Sequence, residues 1–157
     1  MRITCLFNPI SGRGRGAAAT ERLGRSLEKA GHAVRRLETR PAGASPSGWL
    51  TRELEGEDLL VVLGGDGAVR LAAPAAAAAD VPIYHAAAGT ENLFAKAFGM
   101  RPGPAAVQAA IEAWTIRRID TGRARAGEDL EPFNVMGSVG ESSILEVQAG
   151  RDPGRPP

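Results

Sequence analysis

Leu59-Leu60-Val61-Val62-Leu63-Gly64-Gly65-Asp66-Gly67 is the stretch that decides the fold. Its apolar run is too continuous for a strand with one wet face, which alternates apolar and polar residues. A run of this kind suits a parallel strand covered on both faces by helices. Glycines follow at once. They let the backbone approach a ligand with no Cβ in the way, and the free N–H groups of the next helix start favour an anion there.

Outward from this stretch the same alternation repeats. Towards the N-terminus, Ile3–Phe7 reads as a short buried strand and Ala17–Ala30 as a helix, with Leu23, Leu27 and Ala30 at helical spacing and Gly31 as its stop. Ala33–Leu37 is the next strand, and a weaker helix covers about Ser47–Glu55. Beyond Gly67 come an alanine-rich helical segment, a strand at Val81–Tyr84, and helices near Asn92–Phe98 and Pro104–Trp114. The pattern predicts an α/β domain: a layered parallel sheet with flanking helices, over residues 1–115. Right-handed crossovers then gather the strand-to-helix turns at the carboxyl edge of the sheet, where ligands should bind.

From Ile116 the texture changes. Ile116–Thr121 and Phe133–Ser138 look like strands of an antiparallel arrangement, so residues 116–148 are expected to begin a β-rich second lobe that the chain does not finish. Residues 149–157, rich in proline, glycine and arginine, are expected to fray.

The 157 residues carry a formal charge of +1, with 43% apolar and 24% charged residues, which gives nucleic acid no electrostatic handle. Cys5 is the single cysteine, so no internal disulfide or cysteine-based zinc cluster can form, and a reducing compartment is expected. Asn8-Pro9 interrupts the first apolar run before a secretory signal can develop. The alanine-rich stretch Leu71–Ala79 holds Pro74, ends at Asp80 and falls short of the ~20 apolar residues of a membrane span. A cytoplasmic protein with at most peripheral membrane contact is expected.

Three turns concentrate the chemistry: Asn8-Pro9-Ile10-Ser11-Gly12, Gly64-Gly65-Asp66-Gly67 and Gly89-Thr90-Glu91-Asn92. Asp66 cannot itself attract phosphate. It can orient its loop, hold a magnesium-bound water, bond a nucleotide hydroxyl, or simply cap the helix that follows. Thr90 offers a hydroxyl, and Asn92 an amide that could equally cap a helix. In the first turn Gly12, Gly14 and Gly16 keep the chain open, with Arg13 and Arg15 within reach of phosphate or merely solvated. Gly12, Gly14 and Ala17 loosely match a dinucleotide fingerprint with Glu38 as ribose partner, which would make an NAD(P)-binding module. However, four residues intervene between the strand and Gly12, and Glu38 lies beyond the ~20-residue spacing. No Gly-x-x-x-x-Gly-Lys-Ser/Thr sequence occurs. His32 and His85 have no evident partner, and Trp49, Phe98 and Trp114 read as core or lobe-junction residues.

As a set, one per strand end and in this order, the three turns resemble those of the diacylglycerol kinase catalytic domain family, over roughly Met1 to Ser143. The resemblance implies ATP and magnesium as cofactors, with transfer of the γ-phosphoryl of ATP to the hydroxyl of a diacylglycerol-type lipid. It implies a nucleotide site lined by Asn8, Pro9, Ile10, Ser11, Gly12, Thr39, Gly64, Gly65, Asp66, Gly67, Ala68, Val69, Arg70, Gly89, Thr90 and Asn92, with Asp66 near magnesium through water. In the family the general base and much of the lipid cleft come from the second lobe. An active enzyme would then need completion by another chain or a homo-oligomer, and the alternative is a non-catalytic nucleotide-binding fragment. Four features depart from the family pattern. Ala68 stands for a threonine and Leu71 for a glutamate, Pro74 lies inside a helix, and Glu141–Ser143 replace a Phe-Asp-Ala type of sequence.

Overall fold

The computed structural model describes residues 1–9, 16–39, 46–119, 122–126 and 129–133. The chain divides into two compact units, one running Met1–Thr115 and the other beginning at Ile116. In the first unit, strands β1 (Arg2–Phe7), β2 (Ala33–Glu38), β3 (Leu59–Gly64) and β4 (Ile83–Ala87) form one sheet in the order β2-β1-β3-β4. All three pairings are parallel. The connecting helices are α1 (Gly16–Lys29), α2 (Pro46–Leu54) and α3 (Asp66–Ala78), followed by α4 (Leu93–Ala97) and α5 (Pro104–Ala113).

Every residue of β3 is buried, as its unbroken apolar run requires. Its side chains split by parity. Leu59, Val61 and Leu63 join Ile3, Cys5 and Phe7 of β1 against Leu23 and Leu27 of α1 and Val107 and Ile111 of α5. Leu60 and Val62 face the other way, onto Leu50 and Leu54 of α2, Val69, Ala72 and Ala75 of α3, and Phe94 of α4. The chain moves one way along the sheet from β1 to β2 and reverses for β3 and β4. Right-handed crossovers therefore put α1 on one face and α2 and α3 on the other. The reversal leaves a crevice between the carboxyl ends of β1 and β3, the place where open α/β sheets bind ligands.

Cys5 lies inside this core, and burial pushes its thiol up to about 12. Arg36 of β2 reaches back to α1, 2.7 Å from Glu28 and 2.8 Å from Glu21, and holds the Glu28 carboxyl below its usual range; that of Glu21 is lowered first by the bond from Arg25 and further by Arg36.

Three helices end in the same way. After α1, Gly31 at φ +87° lets His32 N–H bond the Leu27 carbonyl and Gly31 N–H that of Glu28. Gly99 does the same after α4, with Met100 N–H on the Ala95 carbonyl. After α3 the left-handed position falls on Asp80, at φ 52°, with Val81 N–H on the Ala76 carbonyl at 2.9 Å. This corrects the expected strand at Val81–Tyr84: Val81 and Pro82 complete the helix end, and β4 runs Ile83–Ala87 so that it pairs with Leu60–Gly64. α3 continues through Pro74.

In the second unit the described residues form an antiparallel pair, β5 (Gly122–Ala126) with β6 (Asp129–Phe133). The expected strand at Ile116–Thr121 is not found at 116–119, where the backbone is irregular, and residues 120–121 lie outside the described residues. Of Phe133–Ser138, Phe133 ends β6 and the rest lies outside the described residues. Among the described residues no helix is long and apolar enough to cross a membrane.

Candidate active site

Parallel pairing sets the strand ends in a row. Phe7 pairs with Glu38 and with Leu63, and Gly64 with Ala87, so Thr39, Asn8, Gly64 and Ala87 come next to one another along the carboxyl edge. Three strand spacings of about 4.8 Å make this row ~14 Å wide. Thr39 N–H donates to the Phe7 carbonyl at 2.8 Å, and Ala88 N–H donates to the Gly64 carbonyl at 2.8 Å, so the ladder extends one residue past the strands on both sides of the crevice. Asn8 and Pro9 are half-buried at the end of β1, whereas Ile10, Ser11 and Gly12 lie outside the described residues.

The second and third turns touch backbone to backbone. A Cβ on Gly89 would meet Gly65 Cα at 2.8 Å and Asn92 Oδ1 at 2.9 Å, so this approach needs glycine. α3 starts immediately after Gly65, whose carbonyl accepts the Ala68 and Val69 N–H groups. The earlier N–H groups of that turn have no partner within the helix and point toward the edge. Gly67 is exposed with open space where its Cβ would be, and Thr90 and Arg70 are also exposed. Val69 instead faces inward at 1% exposure and packs into the core. Ala68 is half-buried and lies against Gly64, where an added Cβ would be 2.8 Å from its own.

Asp66 does not cap its own helix. Its Oδ2 accepts Leu93 N–H at 2.8 Å and its Oδ1 accepts Phe94 N–H at 2.9 Å, so it holds the start of α4 from the second turn. Asn92 occupies the position before α4 but does not cap it by side chain. With φ 52° it turns back, accepting Gly89 N–H at 3.0 Å and donating through Nδ2 to the Gly89 carbonyl at 2.6 Å. The two amide-group bonds close the third turn on itself.

Both histidines have partners that the sequence did not disclose. His32 Nε2 lies 3.3 Å from Gln108 Oε1. His85 is fully buried in β4, with Nε2 2.8 Å from the Gly64 carbonyl and its ring beside Phe94, while Nδ1 is buried with no partner. A carbonyl only accepts, so Nε2 carries the proton. His85 thus braces the first glycine of the second turn from below. Phe98 packs against Phe94 with its ring tilted by 54° and centroids 4.8 Å apart, and Trp49 packs on the same core, but Trp114 is 42% exposed.

A shallow groove of about 400 Å³ between the α4–α5 connection and α5, lined by Tyr84, Phe98, Met100 and Arg101 among others, shares no residue with the three turns. Among the described residues no group of three or more His, Cys, Asp or Glu side chains could enclose a metal. A magnesium ion carried on phosphate needs no such group, since it takes its ligands mainly from phosphate oxygens and water.

The model of the diacylglycerol kinase catalytic domain matches residues 2–124. Two curated relatives, each named diacylglycerol kinase, come from Mycobacterium tuberculosis strains CDC 1551 / Oshkosh and ATCC 25618 / H37Rv. Each is 29% identical over 153 residues, covering 96% of this chain and 49% of the relative. The chain therefore spans about half the length of the curated relatives it matches. A crystal structure described as a diacylglycerol kinase from Bacillus anthracis str. Sterne shares the fold, with TM-score 0.62 and 22% identity over 78% of this chain and 46% of that one. By the extent of the domain match, the chain belongs to the diacylglycerol kinase catalytic domain family.

Proposed function

We propose that this chain supplies the nucleotide-binding part of an ATP-dependent lipid kinase acting on a diacylglycerol-type lipid. The observation that carries this reading is the close approach of Gly65 and Gly89 beside the start of α3, where neither turn has a Cβ between the backbone and a ligand. An ATP triphosphate suits such a surface, because phosphoryl transfer asks mainly for positioning and charge neutralisation. In the proposed assignment the Gly65–Gly67 turn at the start of α3 holds the phosphates, Gly64, Ala68 and Gly89 shape that turn, and Asn8, Pro9, Thr39, Arg70, Thr90 and Asn92 flank it. Magnesium would be held by the phosphate oxygens and water and would neutralise charge on the triphosphate; both Asp66 oxygens are already engaged by Leu93 and Phe94 N–H. In the reaction the bond from Pγ to the bridging oxygen of ADP breaks and a bond from Pγ to the lipid hydroxyl forms, the hydroxyl proton passing to a base. A cytoplasmic location with peripheral access to lipid accords with these substrates.

Isothermal titration with ATP and magnesium tests the reading, alongside Gly67→Leu, which adds bulk in open space and leaves the packing alone. Saturable binding by the parent and at least tenfold weaker binding by Gly67→Leu, at a melting temperature no lower than the parent's, is the expected result. Equal binding by both would place the nucleotide elsewhere. Transfer of labelled phosphate to diacylglycerol in mixed micelles then separates a kinase from a chain that binds nucleotide without turnover.

A further inference from the structure

Asp66 occupies the first turn of α3, yet both of its carboxylate oxygens are engaged by a different helix, at Leu93 and Phe94 N–H. A carboxylate on two backbone N–H groups at a helix start forms charge-assisted bonds and meets the positive end of the helix dipole. The residue that would ordinarily cap α4, Asn92, is committed to Gly89 instead. These two side chains divide the work: Asn92 closes the third turn, and Asp66 ties that closed turn to the second. Gly89 then has to lie on Gly65, because α4 cannot retreat without breaking both bonds to Asp66. The first two amides of α4 are also spent, so they are not offered to a phosphate.

We propose that Asp66 is a positioning residue that sets the distance between the two glycine turns, and that it supports nucleotide binding through the third turn rather than through magnesium. This rests on reading the turns as the nucleotide site. Asp66→Asn is the discriminating change, since an amide has one acceptor oxygen and would turn its NH2 toward the other backbone donor.

The first readout needs no nucleotide. In the parent chain the Leu93 and Phe94 amide protons should exchange slowly with water, and in Asp66→Asn at least tenfold faster. The second compares ATP affinity with magnesium and in excess EDTA: the substitution should weaken both by the same factor, tenfold or more. A loss confined to the magnesium condition would overturn the proposal in favour of a metal role, and unchanged amide exchange would overturn the clamp itself. Faster exchange in the variant, together with no ATP binding by the parent, would uphold the clamp and refute the nucleotide reading. Should Asp66→Asn fail to fold, the parent decides alone, because Leu93 and Phe94 amides exchanging as fast as those of exposed Thr90 and Glu91 exclude the clamp.

Discussion

Replacing Gly89 by alanine adds one methyl group where there is no room for it. The new Cβ would lie 2.8 Å from Gly65 Cα and 2.9 Å from Asn92 Oδ1, against an ordinary carbon–carbon separation of about 3.5–4.0 Å. Relief requires the two turns to part by roughly 1 Å. The neighbour on one side is backbone, and on the other it is a side chain already making two hydrogen bonds to residue 89, so neither can rotate away. Overpacking of this kind costs about 1–3 kcal/mol. For a domain of this size, 2 kcal/mol corresponds to a fall in melting temperature of roughly 6–12 °C. Gly67→Ala provides the opposite sign, because its Cβ meets nothing within 4 Å and the residue is helical, where alanine is favoured over glycine by about 0.5–1 kcal/mol. Differential scanning calorimetry of the two variants beside the parent reads both. A Gly89→Ala chain as stable as the parent would refute the close approach of the turns and, with it, the shape of the candidate site.

Pro74→Ala should stabilise the chain by up to about 3 kcal/mol, since α3 runs through a residue that has no N–H for the Arg70 carbonyl; an unchanged urea midpoint would count against it. Cys5 should resist alkylation at pH 8 in the native chain and react readily once unfolded. Its folded thiol is raised from 9.0 to about 12, so the folded state holds its proton where the unfolded state has lost it. Stability should therefore decline as pH rises from about 9 towards 12, and Cys5→Ala should flatten that decline in melts taken across the range.

Much of this architecture was legible in the sequence, for physical reasons that differ between elements. The run Leu59–Leu63 could only be a strand covered on both faces, and the glycines at its end announced the turn. The helix stop at Gly31 marks a position that needs positive φ. The boundary at β4 was misread because the same helix ending is built on Asp80, which carries no glycine signal, so Val81 and Pro82 were counted into the strand. The roles of Asp66, Asn92 and His85 were hidden for another reason. Each depends on which backbone groups the sheet brings close, and no local spacing shows that Asp66 reaches Leu93 or that His85 lies under Gly64. Thr39 and Asn8 stand beside Gly64 only because β1 is the strand between β2 and β3.

The same strand order carries a kinetic consequence. β1 and β2 are joined by a single helix, and so are β3 and β4, so each pair can assemble from nearby chain. The crevice needs β1 against β3, where Ile3 finds Leu59 and Phe7 finds Leu63 across an intervening strand and two helices. Closing that long loop must be compensated by contacts that form only afterwards, which makes it the slow event in a parallel sheet. On a ribosome β1 would wait, with its inner edge unsatisfied, until β3 had emerged. The candidate ligand-binding edge would thus take shape only once β3 has emerged, later than the pairing of β1 with β2.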